Sequence, residues 1–267
     1  MFGRRADAQL VRELSAVRRF MPFISPRRNE SVVYFEHTLD AEPALAFLHQ
    51  LNADRPPERS ITFFHLVLRA LALGFHERPR VNRFVAGGRL WQRDGIWLSF
   101  SAKRAFDDES PILTIKQQID PDQSIGEMVD AICEKLGSGR AGVKTTSDSE
   151  VDLLLRLPVP LVRLALWFAD GLDALGLLPA SMIHADPLYA SAFIANLGSV
   201  GLEAAYHHLW EHGNCPIFCV IGRIAEGASG RRQVTLKYTY DERVEDGLYC
   251  ARFLERMRER LEHPEKL

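Results

Sequence analysis

Three short stretches in the last third of the chain carry side chains able to do chemistry. Asn196-Leu197-Gly198-Ser199-Val200-Gly201 is a polar turn containing two glycines. Tyr206-His207-His208 sets two imidazoles side by side. Asp241-Glu242-Arg243-Val244-Glu245-Asp246-Gly247 mixes carboxylates with a guanidinium at the entrance to a helical run. Glu242 could act as a base, or stand as a surface carboxylate paired with Arg243 or Arg223. His207 or His208 could supply a base or a metal ligand. Adjacent residues diverge on a helix or strand, so at most one of the two is expected to face a given site.

Other reactive side chains carry less pattern. His65 lies within a strongly apolar run and reads as a core histidine, while His37 and Ser99 fall on expected strands without a motif. Cys133, Cys215, Cys219 and Cys250 lack Cys-x-x-Cys spacing, and His212 is the nearest histidine to the close pair. Free, buried thiols in a reducing, cytoplasmic compartment are therefore expected, with no metal. Gly87-Gly88 is a tight turn without the lysine and helix of a phosphate loop.

These groups must be positioned by elements that apolar spacing makes visible. Leu10, Val11, Leu14, Val17 and Phe20 recur at helical intervals, which predicts a helix over 6–20 ending at Met21-Pro22. Strands are expected at 31–39, 82–84, 89–92, 95–103, 112–119, 190–197, 217–222 and 233–240. Helices are expected after Asp40 with Pro43 in the first turn, at 62–75, at 124–136 behind a Ser124/Glu127 capping box, and at 246–261. Residues 137–149 read as a polar linker. Residues 151–183 are apolar but broken by prolines, glycines and charges, so a helical pair packing on the domain or on an oligomer neighbour is expected. Peripheral membrane contact is the lesser alternative.

The totals set limits. The chain has 267 residues, 46% hydrophobic and 25% charged, enough for the single domain over 1–267 expected here. A net charge of −2 gives no reason to expect a nucleic-acid partner. The early arginines (Arg4, Arg5, Arg12, Arg18, Arg19, Arg27, Arg28) are interspersed with acids and aliphatics and read as a solvated helix face. No apolar signal segment is read at the N-terminus.

The order of these features resembles the catalytic domain of the dihydrolipoyl acyltransferases of 2-oxo acid dehydrogenase complexes, in the chloramphenicol acetyltransferase-like superfamily. Members carry an Asn-Leu-Gly turn, a Pro-x-x-x-x-x-Gly-x-x strand and a His-Arg-x-x-Asp-Gly motif entering the final helix. This chain has Asn196-Leu197-Gly198, then Pro216 to Gly222-Arg223-Ile224, then Glu242-Arg243-Val244-Glu245-Asp246-Gly247. The helix at 62–75 and its exit through Pro79-Arg80-Val81-Asn82 agree more loosely. The resemblance covers most of the chain, strongest from 190 onward and weakest across 104–185.

The resemblance implies an α/β mixed-sheet sandwich, a homotrimer with active-site channels between subunits, and in some relatives larger assemblies. It implies coenzyme A or acyl-coenzyme A as ligand, and no covalently bound cofactor. A lipoyl hairpin and a subunit-binding module are not read, so a free-standing catalytic-type domain is expected. Glu242, Asp246 and His208 would stand at the reaction centre, with Asp246 largely architectural; Asn196, Ser199 and Arg243 would contact substrate. The family's histidine deprotonates a thiol and a Ser or Thr hydroxyl stabilises the oxyanion; Glu242 and Ala195 occupy those positions here. Proton transfer from a thiol near pKa 8.5 to glutamate near 4.3 is uphill by about 5.7 kcal/mol, against about 2.7 kcal/mol for histidine near 6.5. A carboxylate also repels the thiolate that an imidazolium would attract. The expected function is a degenerate acyltransferase. The alternatives are a scaffold that retains only the trimer interface, and an active enzyme using His207 or His208.

Overall fold

The computed structural model describes residues 5–103, 112–140, 154–228 and 230–267. In chain order the elements begin with β1 (Ala8–Leu10), α1 (Ala16–Ile24), β2 (Val32–Asp40), α2 (Glu42–Leu51) and α3 (Phe63–Glu77). There follow β3 (Arg83–Ala86), β4 (Arg89–Arg93), β5 (Trp97–Lys103), β6 (Ile112–Gln118) and α4 (Ile125–Arg140). Beyond these come α5 (Val159–Leu175), α6 (Ala180–Ala185), β7 (Ala192–Asn196), β8 (Ile217–Ile221), β9 (Ala225–Glu226), β10 (Arg232–Asp241) and α7 (Gly247–Glu262).

The main sheet runs β2-β10-β8-β7-β5-β6, with β9 on the edge of β10. It is mixed: β7 lies parallel to β5 and β8, while β10 runs antiparallel to β2 and β8. Alternation along β10 puts Val234, Leu236, Tyr238 and Tyr240 in the helix-covered core. Helix α3 fills that core, with eleven of its fifteen residues buried. Gly74 lets α7 approach, because a Cβ there would fall 2.8 Å from the Phe253 ring. Phe193, Phe218 and Val220 face the other way and pack with Leu209 and Cys215.

The strands and the helices at 62–75, 124–136 and 246–261 form where apolar periodicity places them, within a few residues. Asp40 accepts the Glu42 N–H at 3.1 Å at the start of α2. Helix α4 runs to Arg140, into the expected linker; residues 141–149 of that linker and 151–153 of the apolar segment lie outside the described residues. The rest of the apolar segment forms α5 and α6. Among the described residues, no helix is long and apolar enough to cross a membrane.

The expectation for the first twenty residues needs correction. A helix over 6–20 does not form: β1 pairs with β4, and α1 starts only at Ala16, capped by the Ser15 hydroxyl. It then continues through Pro22 to Ile24, losing one backbone donor. The competing interaction is a buried ion network that needs extended chain. Arg5 Nε meets Asp7 Oδ1 at 2.9 Å, and its Nη2 meets Asp173 Oδ1 at 2.6 Å. Asn214 Nδ2 donates to Asp7 Oδ2 at 3.1 Å, and Arg93 Nη2 donates to Asn214 Oδ1 at 2.7 Å. The Arg5 guanidinium lies over the Phe84 and Trp91 rings, and that of Arg93 over Phe84.

Removing Asp7 leaves two buried guanidinium groups short of a carboxylate. Asp7→Ala is expected to lower stability by about 3–5 kcal/mol at neutral pH. Burial raises the proton affinity of Asp7, but Arg5, Arg93 and Asn214 outweigh it and hold the carboxyl below its usual range. The stabilisation is therefore complete above the unfolded carboxylate range, about pH 4, and fades as pH falls through the lower folded value. Urea melts of both proteins across pH 2–7 check this; a penalty that is constant with pH contradicts it.

Candidate active site

The turn after β10 is built around Asp241, which is 1% exposed. Arg243 Nε and Nη2 donate to its two oxygens, each at 2.8 Å, and Arg243 Nη1 donates to the Ser25 and Pro26 carbonyls. Arg28 Nε stands 3.9 Å from Asp241 Oδ2 while its other nitrogens donate to the Trp210 and Gly213 carbonyls. The Arg28 guanidinium thus joins the N-terminal segment to the loop before β8.

This framework holds the Glu242 backbone at both ends. Its N–H donates to the Ser31 carbonyl at 2.9 Å, and its carbonyl accepts from Arg18 Nη1 on α1 at 2.8 Å. The Glu242 side chain is exposed, and it forms no hydrogen bond or ion pair among the described residues. The expected pairing with Arg243 or Arg223 is not made. Arg243 is committed to Asp241, and Arg223 Nε meets Glu203 Oε1 at 2.6 Å. Arg243 was also expected to touch substrate; buried and with its donors engaged, it is a framework residue instead. Asp246 caps α7, its Oδ1 accepting the Tyr249 N–H at 2.8 Å. That N–H, helped by Arg18 and Arg80, holds its carboxyl below the usual range.

The second polar turn follows β7. Asn196 Oδ1 accepts the Ser199 N–H at 3.2 Å, and Ser199 Oγ donates to the Asn196 carbonyl at 2.7 Å. A Cβ on Gly198 would lie 2.4 Å from the Gly222 carbonyl oxygen, so two motif glycines let this turn rest on the end of β8. Beside it opens a cleft of about 370 Å³ lined by Thr62, Phe64, His65, Phe100, Ala195 and Ser199, among others.

His65 was read as a satisfied core histidine. It is buried, but it also lines this cleft. Its Nδ1 accepts the Thr62 N–H at 3.1 Å, closing a Thr-x-x-His capping box at the start of α3. The ring proton therefore sits on Nε2. Burial, with help from Arg55, lowers the imidazole pKa to about 4. The Thr62 spacing was the available signal.

One chain does not bring the two turns together. Asn196 is level with Ile221, and Ile221 with Leu236, six positions before Glu242. At about 3.3 Å per residue, the two turns are separated by about 20 Å along the strands.

His207 and His208 lie on an irregular segment over the outer sheet face. Their rings stack at 4.5 Å, and His207 stacks on Phe218 at 4.0 Å. The divergence expected of adjacent side chains fails because the backbone there is neither helix nor strand. Thr239, whose hydroxyl donates to the His207 carbonyl, is three positions before Glu242, about 10 Å along β10. Among the described residues, no hydrogen bond, ion pair or ring contact joins Glu242 to either histidine, and no group of three His, Cys, Asp or Glu side chains could hold a metal. Ser99 is buried and donates to the Pro187 carbonyl, and burial pushes the Cys215 and Cys219 thiols upward, away from reactivity.

No family model and no curated protein sequence matches the chain. Solved structures do match. The cubic core of the pyruvate dehydrogenase multienzyme complex aligns with a TM-score of 0.61 at 16% identity, covering 96% of this chain and 93% of that one. The same values hold for a dihydrolipoamide acetyltransferase from Azotobacter vinelandii, studied for the roles of a serine, a histidine and an asparagine in its catalytic mechanism. Chloramphenicol acetyltransferase aligns with a TM-score of 0.55 at 14% identity, over 95% and 99%. The fold is the chloramphenicol acetyltransferase-like one that the sequence resemblance implies.

The buried imidazole predicts an acid-sensitive core. The folded pKa of His65 lies below the unfolded value near 6.5, so its contribution is intact above that value and is lost as pH falls toward 4. The loss amounts to about 3 kcal/mol. Glutamine at the same position keeps a capping-box side chain without titrating. The difference in unfolding free energy between pH 7 and pH 4.5 should therefore shrink by about 2–3 kcal/mol in His65→Gln. An unchanged difference would show that His65 does not titrate this way.

Proposed function

We propose that this protein is a degenerate acyltransferase: a single-domain subunit that binds an acyl thioester or coenzyme A between copies, without histidine-dependent transfer. The observation that carries the reading is Glu242, an exposed and unpartnered carboxylate at the motif position where an imidazole belongs. Ala195, aligned on the Asn-Leu-Gly turn, offers no hydroxyl for an oxyanion. A histidine and a serine are among the residues studied in the mechanism of the Azotobacter structure.

The separation of the two turns supports an intersubunit site. With about 20 Å of sheet between them, a substrate touching both needs the Glu242 turn of one copy against the Asn196 turn of another. A homotrimer meets this need, and the cubic core among the structural neighbours makes a larger assembly reasonable. Asn196 and Ser199 would then frame the thioester, with the apolar cleft beside them receiving the acyl group. A second reading has one observation in its favour: the stacked His207–His208 pair, with His208 exposed, packs beside the last residues of β10, about 10 Å from Glu242 along the strand. It would make the protein an active transferase with a different base. A scaffold that retains only the interface is the third.

One measurement separates the first reading from the third, and another tests the intersubunit site. Calorimetric titration with acetyl-coenzyme A should give saturable binding to the proposed protein and none to a pure scaffold. Cysteines introduced by Ala195→Cys and Glu242→Cys, joined by a short bis-maleimide, should yield covalently linked oligomers. Bands that remain monomeric would remove the intersubunit site.

A further inference from the structure

Helix α5 exposes far more apolar surface than a free surface helix carries. At about 100° per residue, Leu161, Leu164, Trp167, Phe168 and Leu175 cover an arc of about 120°. All five are exposed, Trp167 by 73%. The opposite side also exposes Val159 and Leu166, but it is fixed by polar contacts: Asp173 to the buried Arg5, and Asp170 to His212 Nδ1 at 3.2 Å. Turning the apolar arc inward would break the Arg5–Asp173 pair. Its exposure is built in.

Helix α1 presents a second such face, with Val17, Phe20, Phe23 and Ile24 all exposed. The two helices abut one turn. A Cβ on Gly87 would lie 2.0 Å from the Ala174 carbonyl oxygen of α5, and one on Gly88 would lie 3.3 Å from the Phe23 ring of α1. Fifteen of the twenty-one exposed large apolar side chains among the described residues fall in 17–24 and 155–182.

The charges around this surface indicate its occupant. Arg12, Arg19, Arg156 and Arg163 are exposed and form no ion pair among the described residues. Of the nearby carboxylates, Asp170 and Glu30 are engaged by His212 and Arg27, while Glu13 and Glu242 are exposed and unpaired among the described residues. A chain of net charge −2 thus carries more unpaired arginines than unpaired carboxylates along these exposed apolar helices. Two copies meeting there about a two-fold axis would bring the same guanidinium groups together, whereas an anionic lipid surface supplies the counter-charge. Apolar aromatic helices with basic edges, too short to span, lie in the interface of a bilayer. We propose that α5 and α1 together dock the protein on anionic lipid bilayers.

The test is co-sedimentation of the full chain with phosphatidylcholine vesicles, with and without phosphatidylglycerol. Wild type should bind the anionic vesicles, and added salt should weaken binding. Trp167→Glu with Phe168→Glu changes exposed positions only, and should reduce binding about tenfold or more while leaving the mass in sedimentation equilibrium unchanged. Arg156→Glu with Arg163→Glu should weaken binding several-fold, and only at low salt. The proposal is overturned if wild type ignores phosphatidylglycerol vesicles or binds both vesicle types equally. It is also overturned if the Trp167/Phe168 variant loses solution mass, because a second copy then covers the surface.

Discussion

Asp241 draws three parts of the chain, distant in sequence, to one buried point. Through Arg243 it reaches the segment after α1, and through Arg28 it reaches the loop before β8. Those segments in turn carry Ser31, which holds the Glu242 backbone, and the histidine pair that packs over Phe218. A buried ion cluster of this kind is strongly destabilising to break, because the remaining charges cannot regain water. Residue 242 is accordingly fixed in direction: its main chain is bound on both sides and its side chain points outward.

What stands at that position decides the chemistry. An imidazole accepts a thiol proton at moderate cost and then attracts the thiolate; a carboxylate does neither. An apolar pocket strengthens a glutamate as a base, but the Glu242 side chain is exposed. The frame that would orient a catalytic residue is intact, with Asp246 capping α7 and two motif glycines in contact. A scaffold so well kept fits a binding role better than loss of all function.

Much of this was legible in the residues. Alternation in 233–240 and the buried run 217–222 identify central strands, and Gly198 and Gly222 are glycines because each would otherwise strike backbone. The first twenty residues misled because Leu10, Val11, Leu14 and Val17 happen to follow a helical period. Their true arrangement depends on partners more than eighty residues away, in β4, and on Asp173, which local spacing does not reveal. Arg243 looked like a ligand-binding cation because nothing in a linear motif shows that Asp241 already occupies it. The apolar stretch 151–183 suggested packing on the domain or on a neighbouring copy; within one chain most of α5 faces outward. Spacing reports how apolar a face is and not what it meets.

The proposed function has thiol activation lost at residue 242. Steady-state release of coenzyme A from acetyl-coenzyme A, with dihydrolipoamide as acceptor, tests it most directly in wild type, Glu242→His and His208→Ala. Release at the uncatalysed rate is expected in both wild type and His208→Ala, with any gain confined to Glu242→His. Brisk turnover in wild type that disappears in His208→Ala would contradict it and identify His208 as the working base.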